Sequence, residues 1–191
     1  MRRLTKSYGV TLLELVVVVA IVGVLLTLAV PSFRNLAERS AVSGHVNTFI
    51  GALRFARSES IKAGTTVVMC RSTNSETPTP TCSTSGDNWG LGWIIFVNRD
   101  LDTNNNYNSA NGDTLVKVQG PLASSGGIAP AATVGKFIFK STGMMSAGAS
   151  QMVFNSQSLA SNQQKIVCIS FQGRARVLVD SFSNCSTSND S

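Results

Sequence analysis

The 191-residue sequence has few of the residues on which enzymes and cofactor sites depend. It contains a single histidine, His45, and no GxSxG, HExxH or P-loop motif. Residues that the usual catalytic triads, metal sites and phosphate-binding loops require are therefore missing. Charged residues make up only 14% of the chain, while Gly, Ser, Thr and Asn are abundant. We expect no enzyme and no cofactor, and the composition is typical of an exported, loop-rich β domain.

The cysteines indicate disulfides. Cys70, Cys82, Cys168 and Cys185 occur without a CxxC spacing, and four cysteines allow three pairings. Pairing of neighbours, Cys70 with Cys82 and Cys168 with Cys185, is favoured because each bond closes a loop rich in Ser, Thr and Asn. A zinc site is the alternative, but His45 is distant in the sequence. Disulfides imply an oxidising compartment, and we expect no metal.

One loop partly matches a calcium-binding pattern. In DLDTNNNYNSAN, Asp100, Asp102 and Asn104 occupy the first, third and fifth positions. Asn105 stands where the pattern needs a turn glycine, and Asn111 stands where it needs a bidentate glutamate. Turns rich in Asn and Asp are common without metal. We therefore expect an ordinary turn and keep calcium as the alternative.

An apolar stretch near the N-terminus has the length of a membrane span. It runs from Val10 to Val30, with Thr11, Glu14 and Thr27 as its polar residues. At about 1.5 Å per residue it matches the roughly 30 Å core of a bilayer. The basic segment MRRLTK before it should remain cytoplasmic, which directs the rest of the chain outward. The alternative, a secretory signal peptide, has a shorter apolar region.

Glu14 needs a function because an unpaired carboxylate in hydrocarbon is costly. KSYGVTLLEL resembles the type III signal of type IV pilins and pseudopilins: a basic leader ending in Gly, then an apolar helix with Glu at its fifth position. The resemblance implies that prepilin peptidase removes residues 1–9, cutting between Gly9 and Val10, and methylates the new amine. Val10 stands where most members have Phe. It also implies that Pro31 kinks the helix.

The resemblance also implies a role for Glu14 when pilins assemble from the inner membrane. Its carboxylate then pairs with the positively charged N-terminus of a neighbouring pilin. Such pairing relieves the cost of two charges at once. The alternative is a carboxylate that snorkels to the helix end.

The helical pattern continues to residue 63, and strands follow. Apolar residues recur at three- and four-residue steps from Val42 to Ala56, and Gly64 is predicted to end the helix. Seven segments have β character: 65–70, 92–98, 114–119, 136–140, 151–155, 165–170 and 174–180. One long helix followed by strands predicts an α+β fold with antiparallel sheets laid against the helix.

The predicted domains are a leader over 1–9, a helix over 10–63 and an exported globular domain over 64–191. Residues 10–30 of the helix belong to the membrane or the filament core. His45 is expected at the edge of the helix face that packs on the sheets, with no ligand function.

The segment WGLGWIIFVNRDLD (89–102) narrows the resemblance to the FimT/GspH group of minor pilins and pseudopilins. Every position from Trp93 to Val97 is apolar, so this strand is expected to be buried on both faces. The group implies other pilins as partners. It also implies an anchor in the inner membrane with the domain in the periplasm, and later a place in the pilus at the cell surface.

The last third of the chain is its basic end. Five basic residues follow position 135, against two acidic ones: Lys136, Lys140, Lys165, Arg174 and Arg176. Residues 166–171 and 174–179 are predicted to form two strands joined by a tight turn at Gln172–Gly173. Alternation then puts the two arginines on one face, about 7 Å apart. Two guanidiniums at that spacing can bind successive phosphates.

The sequence GRAR (173–176) matches the GRxR motif of FimT-like DNA-binding pilins. This resemblance implies non-specific DNA binding for uptake in natural transformation, with the three lysines extending the patch. The alternative is a GspH-like pseudopilin with a structural role in type II secretion, and a third reading is an adhesin-like pilin for another acidic surface. Phe171 is expected in the core, with base stacking as its alternative role.

Overall fold

The computed structural model describes residues 9–100, 102–158, 164–178 and residue 185. One helix, α1, spans Leu12–Ala63. The strands in this part of the chain are β1 (Val67–Arg71), β2 (Trp93–Val97), β3 (Thr114–Gln119), β4 (Ser125–Pro130), β5 (Lys136–Phe139), β6 (Met145–Ala147), β7 (Ser150–Ser156), β8 (Lys165–Ile169) and β9 (Ala175–Leu178). Short 3-10 helices lie at Trp89–Leu91 and Ser109–Asn111. The predicted α+β fold is confirmed.

The ends of α1 follow local capping chemistry. The hydroxyl of Thr11 accepts a hydrogen bond from the backbone N–H of Glu14 at 3.2 Å, as an N-cap residue does for the residue three positions later. Gly64 has a φ of 64°, the left-handed conformation that glycine adopts without strain. The predicted end of the helix at Gly64 is therefore confirmed.

The chain divides into two compact units, Met1–Ala37 and Glu38–Ser191. In the first unit, α1 is long and apolar enough to cross a membrane by length and composition, with a mean hydropathy of 2.9 over its most apolar part. Leu12 and Val19 are 80% and 63% exposed. Apolar side chains this exposed need a cover such as lipid or other subunits.

The described strands of the second unit form two antiparallel sheets. The first sheet has the strand order β3-β2-β1-β5-β6, and the second has the order β4-β7-β8-β9. All seven predicted strands are present, and the sequence does not predict β4 and β6. Strand β4 has few β-forming residues because its backbone lies very close to β7: a Cβ on Gly126 would stand 1.9 Å from the carbonyl oxygen of Ser156. Only glycine fits there.

The main core lies between α1 and the two sheets, with Phe49 at its centre. The ring of Phe49 meets Trp93 and Phe137 of the first sheet and Phe154 of the second edge-on, with centroids 5.4 to 5.7 Å apart. Trp89 makes a fourth edge contact at 5.8 Å. Edge-to-face pairs at these separations add to the free energy gained from burial. Both sheets therefore pack against the same side chain of the helix.

A second, smaller cluster lies on the other face of the first sheet. Val68, Cys70, Ile94 and Phe96 are buried there, and Cys82 and Tyr107 pack against them from the loops. Strand β2 is consequently buried at all five positions. The prediction that this strand has two buried faces is confirmed.

Two disulfides join the chain with the pairing favoured from the sequence. Cys70 is bonded to Cys82 and Cys168 to Cys185. The first holds the 72–88 loop against β1, where the buried Arg71 guanidinium donates to the carbonyl oxygen of Ser85. Burial lowers the pKa of Arg71 from its ordinary value, and the charge of Asp87 opposes that shift.

Candidate nucleic-acid interface

The turn between β8 and β9 differs from the predicted one by one residue. The N–H of Gly173 donates to the carbonyl oxygen of Ser170 at 2.9 Å, and the N–H of Ser170 donates to the carbonyl oxygen of Arg174 at 3.0 Å. Phe171 and Gln172 are therefore the central residues of the turn, and Gly173 follows them with a φ of 72°. The predicted centre at Gln172–Gly173 is wrong because glycine serves here as the bulge residue after the turn.

A second turn of the same construction lies beside the first. The backbone N–H of Gly143 donates to the carbonyl oxygen of Lys140, and the backbone N–H of Lys140 donates to the carbonyl oxygen of Met144, both at 2.8 Å. Gly143 has a φ of 76°. The two turns touch: the N–H of Met145 donates to the carbonyl oxygen of Phe171 at 2.8 Å. This bond connects the first sheet to the second and brings Lys140 to the neighbouring turn.

The C-terminal half of α1 completes a groove beside the β8–β9 turn. Its lining residues on the helix are Arg54, Arg57, Ser58 and Ile61, and those on the turn and β9 are Gly173, Arg174 and Ala175; the groove measures about 470 Å³. The helix residues share one face because they are spaced three and four apart. The groove thus joins three arginines from two distant parts of the chain.

The contribution of Arg54 and Arg57 to this site could not be predicted from the sequence. Their three-residue spacing shows that they share a helix face, but only the tertiary fold brings that face to the turn. In the described part of the chain, neither these two guanidiniums nor that of Arg174 forms an ion pair; the carboxylate of the nearby Glu59 is paired with Lys62 at 3.3 Å. Three cations without a carboxylate partner make a site that favours anions.

Arg176 lies on the edge of the second sheet and does not line the groove. It stands opposite Cys168 in the pairing of β8 with β9. Cys168 is bonded to Cys185, whose backbone N–H also donates to the side chain of Gln151 at 3.2 Å. The disulfide therefore fixes the strand on which Arg176 is carried. Val179 and Asp180, which the sequence places at the end of this strand, lie outside the described residues.

The structure does not bring Lys136 and Lys165 to the arginines. Lys165 is at the far end of β8, where its ammonium donates to the hydroxyl of Ser43 at 2.8 Å. Ser43 precedes Arg57 by about 21 Å of helix. Lys136 donates to the carbonyl oxygen of Asn104 and to the side chain of Asn106.

The loop that contains Asn104 and Asn106 is held in shape by hydrogen bonds between its own polar groups. The side-chain amide of Asn111 donates to the carboxylate of Asp100 at 2.9 Å, and the backbone N–H of Asp102 donates to the same carboxylate at 3.1 Å. These two hydrogen bonds lower the pKa of Asp100. Burial lowers the pKa of Lys136, and the charge of Asp102 opposes that shift. Among the described residues, no cluster of His, Cys, Asp and Glu fits a metal ion.

Phe171 is not part of the core. Its side chain is 59% exposed, since it occupies the tip of the turn rather than a strand. The expectation of a buried Phe171 is therefore wrong.

His45, by contrast, is 9% exposed at the packed face of α1, with Nε2 lying 3.0 Å from the carbonyl oxygen of Ala123.

Residues 45–179 match the family model described as type II transport protein GspH, which covers more than half of the chain. The chain belongs to the GspH family. Residues 4–30 match the prokaryotic N-terminal methylation motif. This GspH-family chain is thus a minor type IV pilin or pseudopilin, and its family and fold are those of structural pilins rather than enzymes.

The chain is also similar to two known proteins. It is 43% identical over 63 residues to a probable minor fimbrial protein of Dichelobacter nodosus, an alignment covering 33% of this chain and 39% of that protein. Its fold is similar to that of the type IV minor pilin FimU of Pseudomonas aeruginosa, with a TM-score of 0.54 and 15% identity over 78% of this chain and 95% of FimU. The long helix packed on antiparallel sheets is therefore the type IV pilin fold.

Proposed function

We propose that this GspH-family chain is a minor type IV pilin that binds extracellular DNA for uptake in natural transformation. The observation that carries the proposal is the groove lined by Arg54, Arg57 and Arg174, with Lys140 on the adjoining turn. Arg176 follows on the same sheet edge. This surface includes the GRAR segment that resembles the GRxR motif of DNA-binding pilins.

The arrangement suits the phosphates of a nucleic acid. A guanidinium presents a planar fork of donors that binds phosphate oxygens in pairs. In the described part of the chain, none of the three groove arginines forms an ion pair with a carboxylate. Contacts of this kind hold the sugar–phosphate backbone of the DNA and do not distinguish one base from another. Binding is therefore independent of the DNA sequence.

The remaining predictions about the chain complete the proposal. Residues 1–9 form the leader that prepilin peptidase removes between Gly9 and Val10. Residues 10–30 anchor the protein in the inner membrane, and the domain over 64–191 folds in the periplasm before the pilus carries it to the cell surface. Glu14 pairs with the N-terminus of a neighbouring pilin during assembly.

A structural pseudopilin of type II secretion is the second candidate, and the description of the matching family model favours it. Such a subunit needs contacts with other pseudopilins but no affinity for a polyanion. DNA binding by the purified protein therefore separates the two candidates.

The test is a salt titration of DNA binding with the full-length chain in a non-ionic detergent. The slope of the logarithm of the binding constant against the logarithm of the salt concentration should be about −0.9 for each phosphate neutralised. Arg174→Gln and Arg57→Gln should each weaken binding and reduce that slope by about 1. Arg39→Gln is the matched control, because Arg39 is an exposed arginine on the same helix, about 22 Å from Arg54 along the axis.

Equal losses in Arg39→Gln and Arg174→Gln would show that net charge, not this groove, determines the affinity. A wild-type protein that does not bind DNA at low salt would favour the structural pseudopilin.

A further inference from the structure

Three exposed apolar side chains surround the junction of the two turns. Phe171, Ile61 and Met144 are 59%, 54% and 50% exposed. All three adjoin the segment from Gly143 to Met145. A Cβ on Gly143 would stand 2.8 Å from Cδ1 of Ile61, and the N–H of Met145 donates to the carbonyl oxygen of Phe171. They therefore lie around one short segment next to the groove, which Ile61 also lines.

The exposure of Phe171 distinguishes it from the other aromatic residues of the second unit. Among the described residues from 38 onward, it is the one Phe, Tyr or Trp whose side chain is mostly exposed. Trp89, Trp93 and Phe137 are fully buried. An exposed aromatic side chain beside a cationic groove indicates a surface for a ligand with an apolar face.

The turn holds Phe171 in a fixed position. Its backbone lies between the two hydrogen bonds that join Ser170 to Gly173 and to Arg174, and its own carbonyl oxygen accepts from Met145 at 2.8 Å. A ring on a fixed backbone loses little conformational freedom when it binds a ligand. The backbone position from which the ring projects is therefore built into the fold.

The groove that adjoins this turn carries cations. Arg174 follows Phe171 by three residues, and Arg57 lies across the groove from Arg174. Proteins that bind single-stranded nucleic acids combine such cations with aromatic rings on which unpaired bases stack. In a duplex the base faces are stacked inside the helix, so a duplex offers this surface its phosphates but not its base faces.

We propose that this surface binds single-stranded DNA in preference to duplex DNA, with an unpaired base stacked on Phe171 and the adjacent phosphates held by Arg174 and Arg57. The proposal rests on the DNA binding proposed above and specifies the form of DNA. Frayed ends and single-stranded segments are then the preferred points of capture.

The test compares three fluorescent probes of equal phosphate content with the full-length chain in detergent. The probes are a thymine oligonucleotide, a duplex, and a strand of abasic sites that keeps the phosphates and lacks the bases. The thymine strand should bind about tenfold or more tightly than the abasic strand, which is within the range for stacking of one or two bases. Phe171→Ala should remove that advantage and leave duplex affinity unchanged, whereas Phe171→Trp should retain it.

Leu91→Ala is the matched control, since Leu91 is an exposed apolar residue on the 3-10 helix at Trp89–Leu91 and not in the groove. A wild type that binds the thymine strand no more tightly than the abasic strand or the duplex would overturn the proposal, as would a loss in Phe171→Ala that is the same for all probes. Absence of binding to every probe at low salt would overturn the proposed DNA binding itself.

Discussion

Gly173 lies against Gly143: a Cβ atom on Gly173 would stand 3.1 Å from the carbonyl oxygen of Gly143. The same atom would stand 3.1 Å from the ring of Phe139 and 3.3 Å from Cδ of Arg57. This close approach holds the two turns and the helix together, so the shape of the cationic groove depends on a residue without a side chain.

Gly173→Ala should therefore destabilise the protein and weaken DNA binding. A φ of 72° is strained for alanine, and the new methyl group has little room, so we expect a loss of about 1–3 kcal/mol in the free energy of unfolding. Denaturant titration measures it. The control is Gly51→Ala on an open face of α1, which should stabilise the helix by up to about 1 kcal/mol. Equal stability of the two variants would contradict the argument from close approach.

Lys136 and Lys165 should contribute less to DNA binding than Arg174. Both ammonium groups are bonded to protein atoms away from the groove, and charges more than about 8 Å away are largely screened at physiological ionic strength. Lys136→Gln and Lys165→Gln should each leave the salt slope unchanged, whereas Lys140→Gln should reduce it. A reduction in all three variants would indicate a broad basic surface.

Both disulfides should stabilise the second unit. Each closes a loop of moderate length, with separations of 12 and 17 residues, and such bonds contribute about 2–4 kcal/mol in the chain-entropy model. Non-reducing peptide mapping should recover Cys70–Cys82 and Cys168–Cys185, and each paired Cys→Ser variant should unfold at lower denaturant concentration. Free thiols in protein isolated from the periplasm would refute this expectation.

Processing should leave Val10 as the first residue of the mature chain. We expect intact-mass analysis to find a chain that lacks residues 1–9 and carries one methyl group on the new amine. Gly9→Val should block cleavage. A mature protein that retains Arg2 and Arg3, or that begins elsewhere, would contradict the assignment.

Glu14→Ala should leave membrane insertion intact and reduce incorporation into filaments, because the carboxylate is expected to pair with a neighbouring N-terminus. Thr11→Val separates this role from helix capping: it removes the hydroxyl that accepts from the N–H of Glu14 and keeps the carboxylate. Quantification of both variants in sheared filaments checks the prediction. Equal incorporation of Glu14→Ala and wild type would show that the pairing is not needed.

Features with a local or periodic cause could be predicted from the sequence. The helix end at Gly64, the doubly buried strand from Trp93 to Val97 and the disulfide partners all follow from neighbouring residues or repeating patterns. Strands β4 and β6 could not be predicted, because β4 contains Gly126 for contact with β7 and β6 is only three residues long.

The candidate site was predictable only in part, for a related reason. Arg174 and Arg176 are close in sequence to a turn signal, and their segment resembles a known motif. Arg54 and Arg57 reach the same surface only when the helix packs beside the turn, more than a hundred residues later in the chain. The exposure of Phe171 depends on a one-residue difference in the position of the turn.

The contacts of Phe49 have a consequence for the order of folding. Its ring packs on Trp93 and Phe137 of the first sheet and on Phe154 of the second. A chain that grows from its N-terminus carries this ring long before Phe154 has been synthesised. Contacts so distant in sequence make folding slow, because the intervening chain must first be closed into a loop. The core around Phe49 therefore cannot be completed until Phe154 has left the ribosome.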